Sequence, residues 1–222
     1  MERMFSSDSK PVVYLSKFVD MIVLNVIFLV CCIPVFTAGA ACTAMYYTCV
    51  KVIRKDEGTV FREYFHSFRE NFVAATGIWM VILAIQSLMA ANILAAFVYA
   101  KGTYGAIIAG FSISASLIIL AIGVYVFPVL SRFMVKGRDL LRMALVMAVA
   151  NGKSTVLLVL LVFLFVVLLV LGWPFWPLIL LLAPGIAALL SAKVLEPVLA
   201  LYITEQEADR HGDNIEGGGE DE

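Results

Sequence analysis

The chain has 222 residues, of which 62% are hydrophobic and 15% are charged, and its mean hydropathy is +0.97. A soluble domain is about 45–50% apolar and about 25% charged, and one water-soluble core of this length could not cover so much apolar surface. The composition therefore excludes an ordinary soluble protein and predicts an all-α membrane bundle. Basic side chains lie in short stretches between apolar segments, so nucleic acid is not an expected partner.

The net charge of −1 hides two oppositely charged parts of the chain. Residues 204–222 contain eight acidic residues and one basic residue, so an excess of basic residues remains in residues 1–203. The acidic segment is too polar to bury a core, and it is predicted to be a disordered cytoplasmic tail. Residues 1–203 are predicted to form the integral membrane domain.

The first apolar region, residues 18–53, is too long for one membrane span and slightly short for two. Pro34 and Gly39 lie at its centre, and proline ends or kinks a helix. The sequence predicts a helical hairpin, Phe18–Ile33 followed by Phe36–Ile53, that turns at the outer surface.

The distribution of basic residues favours two spans here over one. With a hairpin, 15 of the 16 Lys and Arg residues fall on one side of the membrane, and only Lys101 falls on the other. A single span would move Arg3, Lys10 and Lys17 to the outside. Because basic residues accumulate on the cytoplasmic side, both termini are expected in the cytoplasm.

Four further segments are long and apolar enough to be spans, which makes about six in all. Outward turns are expected near Val35–Ala38, Lys101–Tyr104 and Gly172–Pro177. Pro128 and the pair Pro184-Gly185 are expected to break helices inside the membrane. The four segments are Phe72–Tyr99, Gly105–Leu130, Thr155–Leu171 and Trp176–Ala192.

The first cytoplasmic connection is predicted to be an amphipathic elbow helix. Its aromatic residues recur at helical spacing on one face, and Thr59 is a plausible N-cap. We expect Phe61, Phe65 and Phe68 to be buried together, and the polar residues of the other face to meet water. Those polar residues are Arg62, Glu63, His66, Arg69 and Glu70.

The second cytoplasmic connection predicts another short helix, Leu140–Ala150. Asp139 can cap its start, and Asn151-Gly152 can end it. Span, elbow and span thus occur twice, and Arg54 lies opposite Arg132 at an offset of 78 residues. The two halves form a weak internal repeat.

Few residues could carry chemistry. Lys193 and Glu196 share a helix face near the end of the last span. They are either an intramembrane functional pair or a boundary pair in which Lys193 reaches toward water. The four cysteines show no metal-ligand spacing, and no catalytic or nucleotide-binding motif occurs. The sequence therefore predicts neither an enzyme nor a cofactor.

The N-terminal quarter of the chain resembles the signature of the YesL family, bacterial membrane proteins of unknown function. The resemblance covers about residues 20–75. The family pattern begins with a Pro–Phe/Leu–Thr–x–Gly–Ala turn and a small-residue helix with an aromatic pair, here Tyr46 and Tyr47. It continues through a basic loop with Glu-Gly to a phenylalanine-rich elbow with an asparagine. The matching residues are Pro34, Thr37, Gly39, Arg54, Gly58, Phe61, Phe65, Phe68 and Asn71.

The resemblance implies a bacterial plasma membrane protein with a contextual link to carbohydrate-uptake ABC transporters. Two hypotheses follow: an accessory or permease-like component that docks ABC-transporter subunits, or a scaffold and assembly factor that moves no solute. Basic elbow residues are the candidates for docking a partner, although such residues also contact anionic lipid of the bilayer. They are Arg62, Arg69, Arg138 and Arg142.

Overall fold

The computed structural model describes residues 10–99, 102–132 and 138–216, and it describes side chains for residues 15–99, 102–132 and 139–200 except 169 and 173. All regular structure in these ranges is helical, as predicted. Seven α-helices occur in chain order: α1 (Lys10–Cys32), α2 (Ala38–Thr48), α3 (Val60–Tyr99), α4 (Thr103–Arg132), α5 (Arg138–Ala150), α6 (Gly152–Leu171) and α7 (Trp176–Glu216).

The chain reverses direction between α1 and α2, at the predicted proline. A 3-10 turn, Val35–Thr37, joins the two helices, and a six-residue π-helix, Cys49–Arg54, continues α2. Lys17 near the start of α1 forms an ion pair with Asp56, which follows the π-helix, at an Nζ–Oδ2 distance of 2.9 Å. The two arms of this hairpin are therefore antiparallel.

The helix α2 lies at the centre of the bundle and contacts α1, α3, α4 and α7. Eight of its 11 residues are buried, and most of them are small. In a bilayer the helix exterior is as apolar as the interior, so small residues rather than large apolar ones mark where helices pack closely. The central position of α2 follows from its composition.

Among the residues that the structure describes, four helices are long and apolar enough to cross a membrane, and the bent pair of α5 and α6 is a fifth when it is counted as one span. The four single helices are the segments Leu15–Cys32, Val60–Tyr99, Thr103–Arg132 and Trp176–Ala200. The predicted number of six spans is not confirmed. The second arm of the hairpin falls short because α2 itself has only 11 residues.

Three of the predicted breaks between helices are wrong. The first elbow is not a separate helix but the first turns of the 40-residue α3, because no glycine or proline lies between Val60 and Thr76 to end it. Pro128 and Pro184 lie inside α4 and α7. A proline is tolerated inside a membrane helix when neighbouring helices satisfy the backbone groups that the proline leaves unpaired.

The second elbow is a separate helix, as predicted. The axes of α5 and α6 differ by 100° across Asn151. The last helix, α7, continues to Glu216 and so enters the acidic segment, residues 204–222, that is predicted to be disordered. Residues 217–222 of this segment lie outside the described ranges. The division of the chain at residue 203 stays a prediction.

Candidate functional site

The hairpin turn is closed by residues of the quoted signature. Pro34 precedes the 3-10 turn, and the Thr37 hydroxyl lies 2.5 Å from the carbonyl oxygen of Cys31 and 2.7 Å from that of Pro34. From α3, the Trp79 indole N–H donates to the carbonyl oxygen of Val35 at 2.8 Å. The Thr37 hydroxyl thus pairs with the Cys31 carbonyl, one of the groups that the end of α1 leaves without a helical partner, and the Trp79 bond fixes the turn against α3.

Gly39 sets the distance between α2 and α3. A Cβ atom at this position would lie 2.5 Å from the Cβ of Trp79 and 2.7 Å from the carbonyl oxygen of Ala75. Both distances are far inside van der Waals contact, and one of them involves backbone that cannot rotate away. Only glycine allows the two helices to approach this closely.

The loop between the π-helix and α3 is held by two ion pairs. Asp56, with a φ of 59°, contacts Lys17, and the Lys51 ammonium lies 2.7 Å from the Glu63 carboxylate. Gly58 has a φ of 82°, and a Cβ there would lie 2.7 Å from Oε1 of Glu63. Glycine is strongly favoured at this position by its backbone angle, and a Cβ atom there would also require the Glu63 side chain to move.

A layer of polar side chains, here called the α7 layer, joins α2, the π-helix and the end of α4 to α7. Arg132 at the end of α4 donates twice to the Glu196 carboxylate, Nη2 to Oε2 at 2.6 Å and Nε to Oε1 at 3.0 Å. The Tyr46 hydroxyl of α2 donates to Oε1 at 3.2 Å. Arg54, the last residue of the π-helix, donates to the carbonyl oxygen of Ala192 at 2.9 Å. These four side chains and the Ala192 carbonyl form one connected polar cluster.

The predicted pairing of Lys193 with Glu196 is wrong. Glu196 is directed toward α4 and α2, where it meets Arg132 and Tyr46, whereas Lys193 is exposed. Residues three apart share one side of a helix only approximately, and here the edge of the packed face runs between them. A bidentate arginine is also a stronger partner for a carboxylate than a lysine.

The start of α3 buries a different face from the one predicted. Phe61 is 65% exposed, while Phe65 and Phe68 are only partly buried. Glu63, predicted to face water, is buried against Lys51. The exposure of Arg62, Arg69 and Glu70 agrees with the prediction. The buried face of this segment comprises Val60, Glu63, Tyr64 and Ser67, and Asn71 donates to the Ser67 carbonyl oxygen at 3.1 Å.

The elbow helix α5 has two apolar faces, of which only one is covered. Arg142 is exposed beside the uncovered face, and the side chain of Arg138 lies outside the described ranges. The covered face consists of Leu140, Ala144 and Met147, which are fully buried in the core, and the uncovered face consists of Leu141, Leu145 and Val149, which are 46%, 45% and 76% exposed.

An apolar cavity of about 360 Å³ lies among the candidate membrane-spanning helices. The end of the cavity that is lined by Tyr46, Pro128 and Ser191, here called its inner end, adjoins the α7 layer. Within the described ranges, no group of three or more His, Cys, Asp or Glu residues could hold a metal ion, and all four cysteines are free thiols.

A family model described as "Protein of unknown function, DUF624" matches residues 21–93 of the chain. No curated protein and no solved structure matches the chain. The matched stretch covers α1 from Met21, the hairpin turn, α2, the π-helix and most of α3, and it includes the entire quoted signature. It supplies neither the YesL name nor an activity, so both stay predictions.

Two residues of the α7 layer were not foreseen as a site. Tyr46 looked like part of an aromatic pair in the signature, and Arg132 looked like a topology charge. The one available signal was the offset of 78 residues that places Arg132 opposite Arg54. Both arginines end a helix of the bundle, and both reach α7 within about one turn of each other.

Proposed function

We propose that this chain is an accessory component of a bacterial plasma membrane assembly, and that α5 docks a cytoplasmic partner. The observation that supports the proposal is the uncovered apolar face of α5. One face of α5 packs on the bundle, and its axis lies at 100° to that of α6. The other face of α5 is therefore presented across the end of the bundle. Exposed apolar side chains bordered by a charge are typical of a docking surface.

Six spans with both termini in the cytoplasm form part of this proposal. The second arm of the hairpin, α2 with its π-helix, has 17 residues between Ala38 and Arg54, or about 25 Å at 1.5 Å per residue. That length is slightly less than a hydrocarbon core of about 30 Å. The Lys17–Asp56 ion pair supports this topology, because it brings the start of α1 and the end of the second arm to the same side.

Cysteine labelling tests the topology. In a variant without native cysteines, a thiol-reactive reagent that cannot cross the membrane is added to intact cells. We expect Thr103→Cys to be labelled from outside and Ser9→Cys to remain unlabelled. Labelling at residue 9 would exclude the proposed hairpin topology.

The cavity favours an accessory role over a path for sugars. A saccharide binds through many hydrogen bonds, and buried polar groups without partners cost about 1–3 kcal/mol each. The cavity offers hardly any polar side chains, and its inner end adjoins the paired residues of the α7 layer. The link to carbohydrate uptake therefore rests on the family resemblance, with an ATPase subunit of an ABC transporter as the expected partner.

The docking proposal is tested by charge reversal and co-purification from native membranes. We expect Arg142→Glu to lose the ATPase and permease subunits that the parent protein retains, because it places an acid beside the docking face. Reversal of Arg62 and Arg69 together asks whether the first connection takes part. Each variant must remain inserted and monodisperse in detergent.

Lys193→Glu is the matched control, since Lys193 is an exposed base outside both connections. Its partners should equal those of the parent. If Arg142→Glu keeps every partner of the parent, docking through α5 is wrong and the basic residues serve only orientation and lipid contact. Co-purification of membrane proteins unrelated to a transporter would favour the assembly-factor hypothesis instead.

A further inference from the structure

The cavity lies among α1, α2, α3, α4, α6 and α7 and has a volume of about 360 Å³. Ligand pockets in proteins range from about 300 to 1,000 Å³, so this space is large enough to hold part of a molecule. Some of the lining residues from α4 and α6, such as Ile119, Leu161 and Phe165, are partly exposed. The cavity is therefore not sealed from the surroundings of the bundle.

The polar groups in the wall already have partners inside the protein. The Tyr46 hydroxyl donates to Glu196 at 3.2 Å, and the Ser191 hydroxyl donates to the carbonyl oxygen of Ala188 at 2.9 Å. A polar ligand would find no free groups of this kind to bind. Apolar cavities also exclude water, and an empty one forfeits the dispersion contacts of its lining.

The space exists because residues without large side chains face it. Gly123 of α4 lines the cavity, and a Cβ atom there would meet only Cδ1 of Ile82, at 3.6 Å. Ala187 and Ala188 face the same space from α7. At the inner end, Tyr46 and its bond to Glu196 lie between the cavity and the cytoplasm.

We propose that this cavity is a binding site for one acyl chain of a bilayer phospholipid, which enters from the side between the membrane helices. Hydrocarbon is the only ligand chemistry that the wall accepts. An unsealed cavity in membrane-spanning helices meets hydrocarbon mainly as phospholipid acyl chains, which are the bulk solvent there. The bound chain fills the space that Gly123 leaves open.

Brominated lipid tests the proposal through Trp79, which lines the cavity. The other two tryptophans, Trp173 and Trp176, are replaced by phenylalanine. The protein is then placed in vesicles of phosphatidylcholine whose acyl chains either carry bromine or do not. Bromine quenches indole fluorescence only near contact. Because Trp79 is only half-buried, surrounding lipid contributes to its quenching as well, and variants that fill the cavity separate the two contributions.

The decisive variants are Gly123→Leu, which fills the cavity, and Gly110→Leu, which makes the same change on the same helix where nothing lies within 4 Å. We expect Gly123→Leu to lower the quenching of Trp79 about twofold, because the added side chain displaces the contacting hydrocarbon. Gly110→Leu should be quenched like the parent.

Ala187→Leu fills the same space from α7 and replaces Gly123→Leu if that variant does not fold. Unchanged quenching in a folded filling variant overturns the proposal. Equal loss of quenching in Gly110→Leu also overturns it, because the effect then comes from bulk lipid. If the cavity instead holds a tightly bound apolar molecule other than a bilayer lipid, the parent and the cavity-filling variant show the same quenching of Trp79 by brominated lipid. That result also counts against the proposal.

Discussion

The ion pair between Arg132 and Glu196 is expected to be the strongest single polar contact in the bundle. Its two N–O distances are 2.6 and 3.0 Å, and each of the two side chains is 20% exposed to solvent. Removing one partner of a fully buried pair costs about 3–5 kcal/mol, since the other charge is left uncompensated. With a fifth of each side chain exposed, we expect Glu196→Gln to lower the free energy of unfolding by about 2–4 kcal/mol.

A double-mutant cycle separates the pair from general disturbance. Arg132→Gln should cost a similar amount, whereas the double variant should cost less than the sum, with a coupling energy of about 0.5–3 kcal/mol. Tyr46→Phe removes one longer bond, of 3.2 Å, to a charged acceptor, and it should cost about 1.5 kcal/mol, the low end of the range for hydrogen bonds to charged groups. Free energies are measured by reversible unfolding in mixed detergent and SDS micelles.

Lys193→Gln is the control, because this side chain lies one turn away on the same helix and is exposed. Its effect should stay within about 0.5 kcal/mol. The reasoning fails if Glu196→Gln and Lys193→Gln have equal effects, or if the cycle shows no coupling between Arg132 and Glu196.

Three further predictions concern packing, and thermal unfolding in detergent can check each of them. Gly39→Ala should destabilise the protein by about 1–3 kcal/mol through overpacking, whereas Gly77→Ala, with nothing within 4 Å of its added Cβ, should be neutral or slightly stabilising. Asn25→Leu should raise stability, because this amide is fully buried and its side-chain atoms find no partner among the described residues; a clear loss would mean that the amide is in fact satisfied. Glu63→Ala should destabilise more than Phe61→Asp, since the carboxylate is buried in an ion pair and the ring is 65% exposed; the opposite order would restore the phenylalanine face as the packed one.

The positions of most helix ends could be predicted because they depend on local chemistry. The turn at Pro34 and the break at Asn151-Gly152 lie where the sequence places helix-breaking residues. Pro128 and Pro184 have the same local chemistry but lie within continuous helices, since packing against neighbours decides whether a proline ends a membrane helix. The π-helix has no sequence signal of its own.

The buried faces could not be predicted from hydrophobic spacing, for a reason specific to membranes. In water the apolar face of a helix is the packed one, but lipid accepts apolar side chains equally well. The phenylalanines of α3 are therefore free to face outward, and Phe61 does. Small and polar side chains carry the information instead, as the buried residues of α2 and the bond of 2.6 Å between Ser116 and Gln86 illustrate.

The α7 layer has opposite consequences for an accessory role and for a permease-like role. Arg54 and Arg132 hold adjacent turns of α7 from two sides, and the cavity begins directly beyond Tyr46. A solute could pass this point only if the Arg132–Glu196 pair separated, which costs about the free energy expected for Glu196→Gln. Binding of a lipid chain and docking at α5 require no such opening. The layer therefore favours a rigid accessory component. The double-mutant cycle also tests this conclusion. A weak coupling between Arg132 and Glu196 would mean that the layer can open at a low cost in free energy, and it would favour a permease-like mechanism instead.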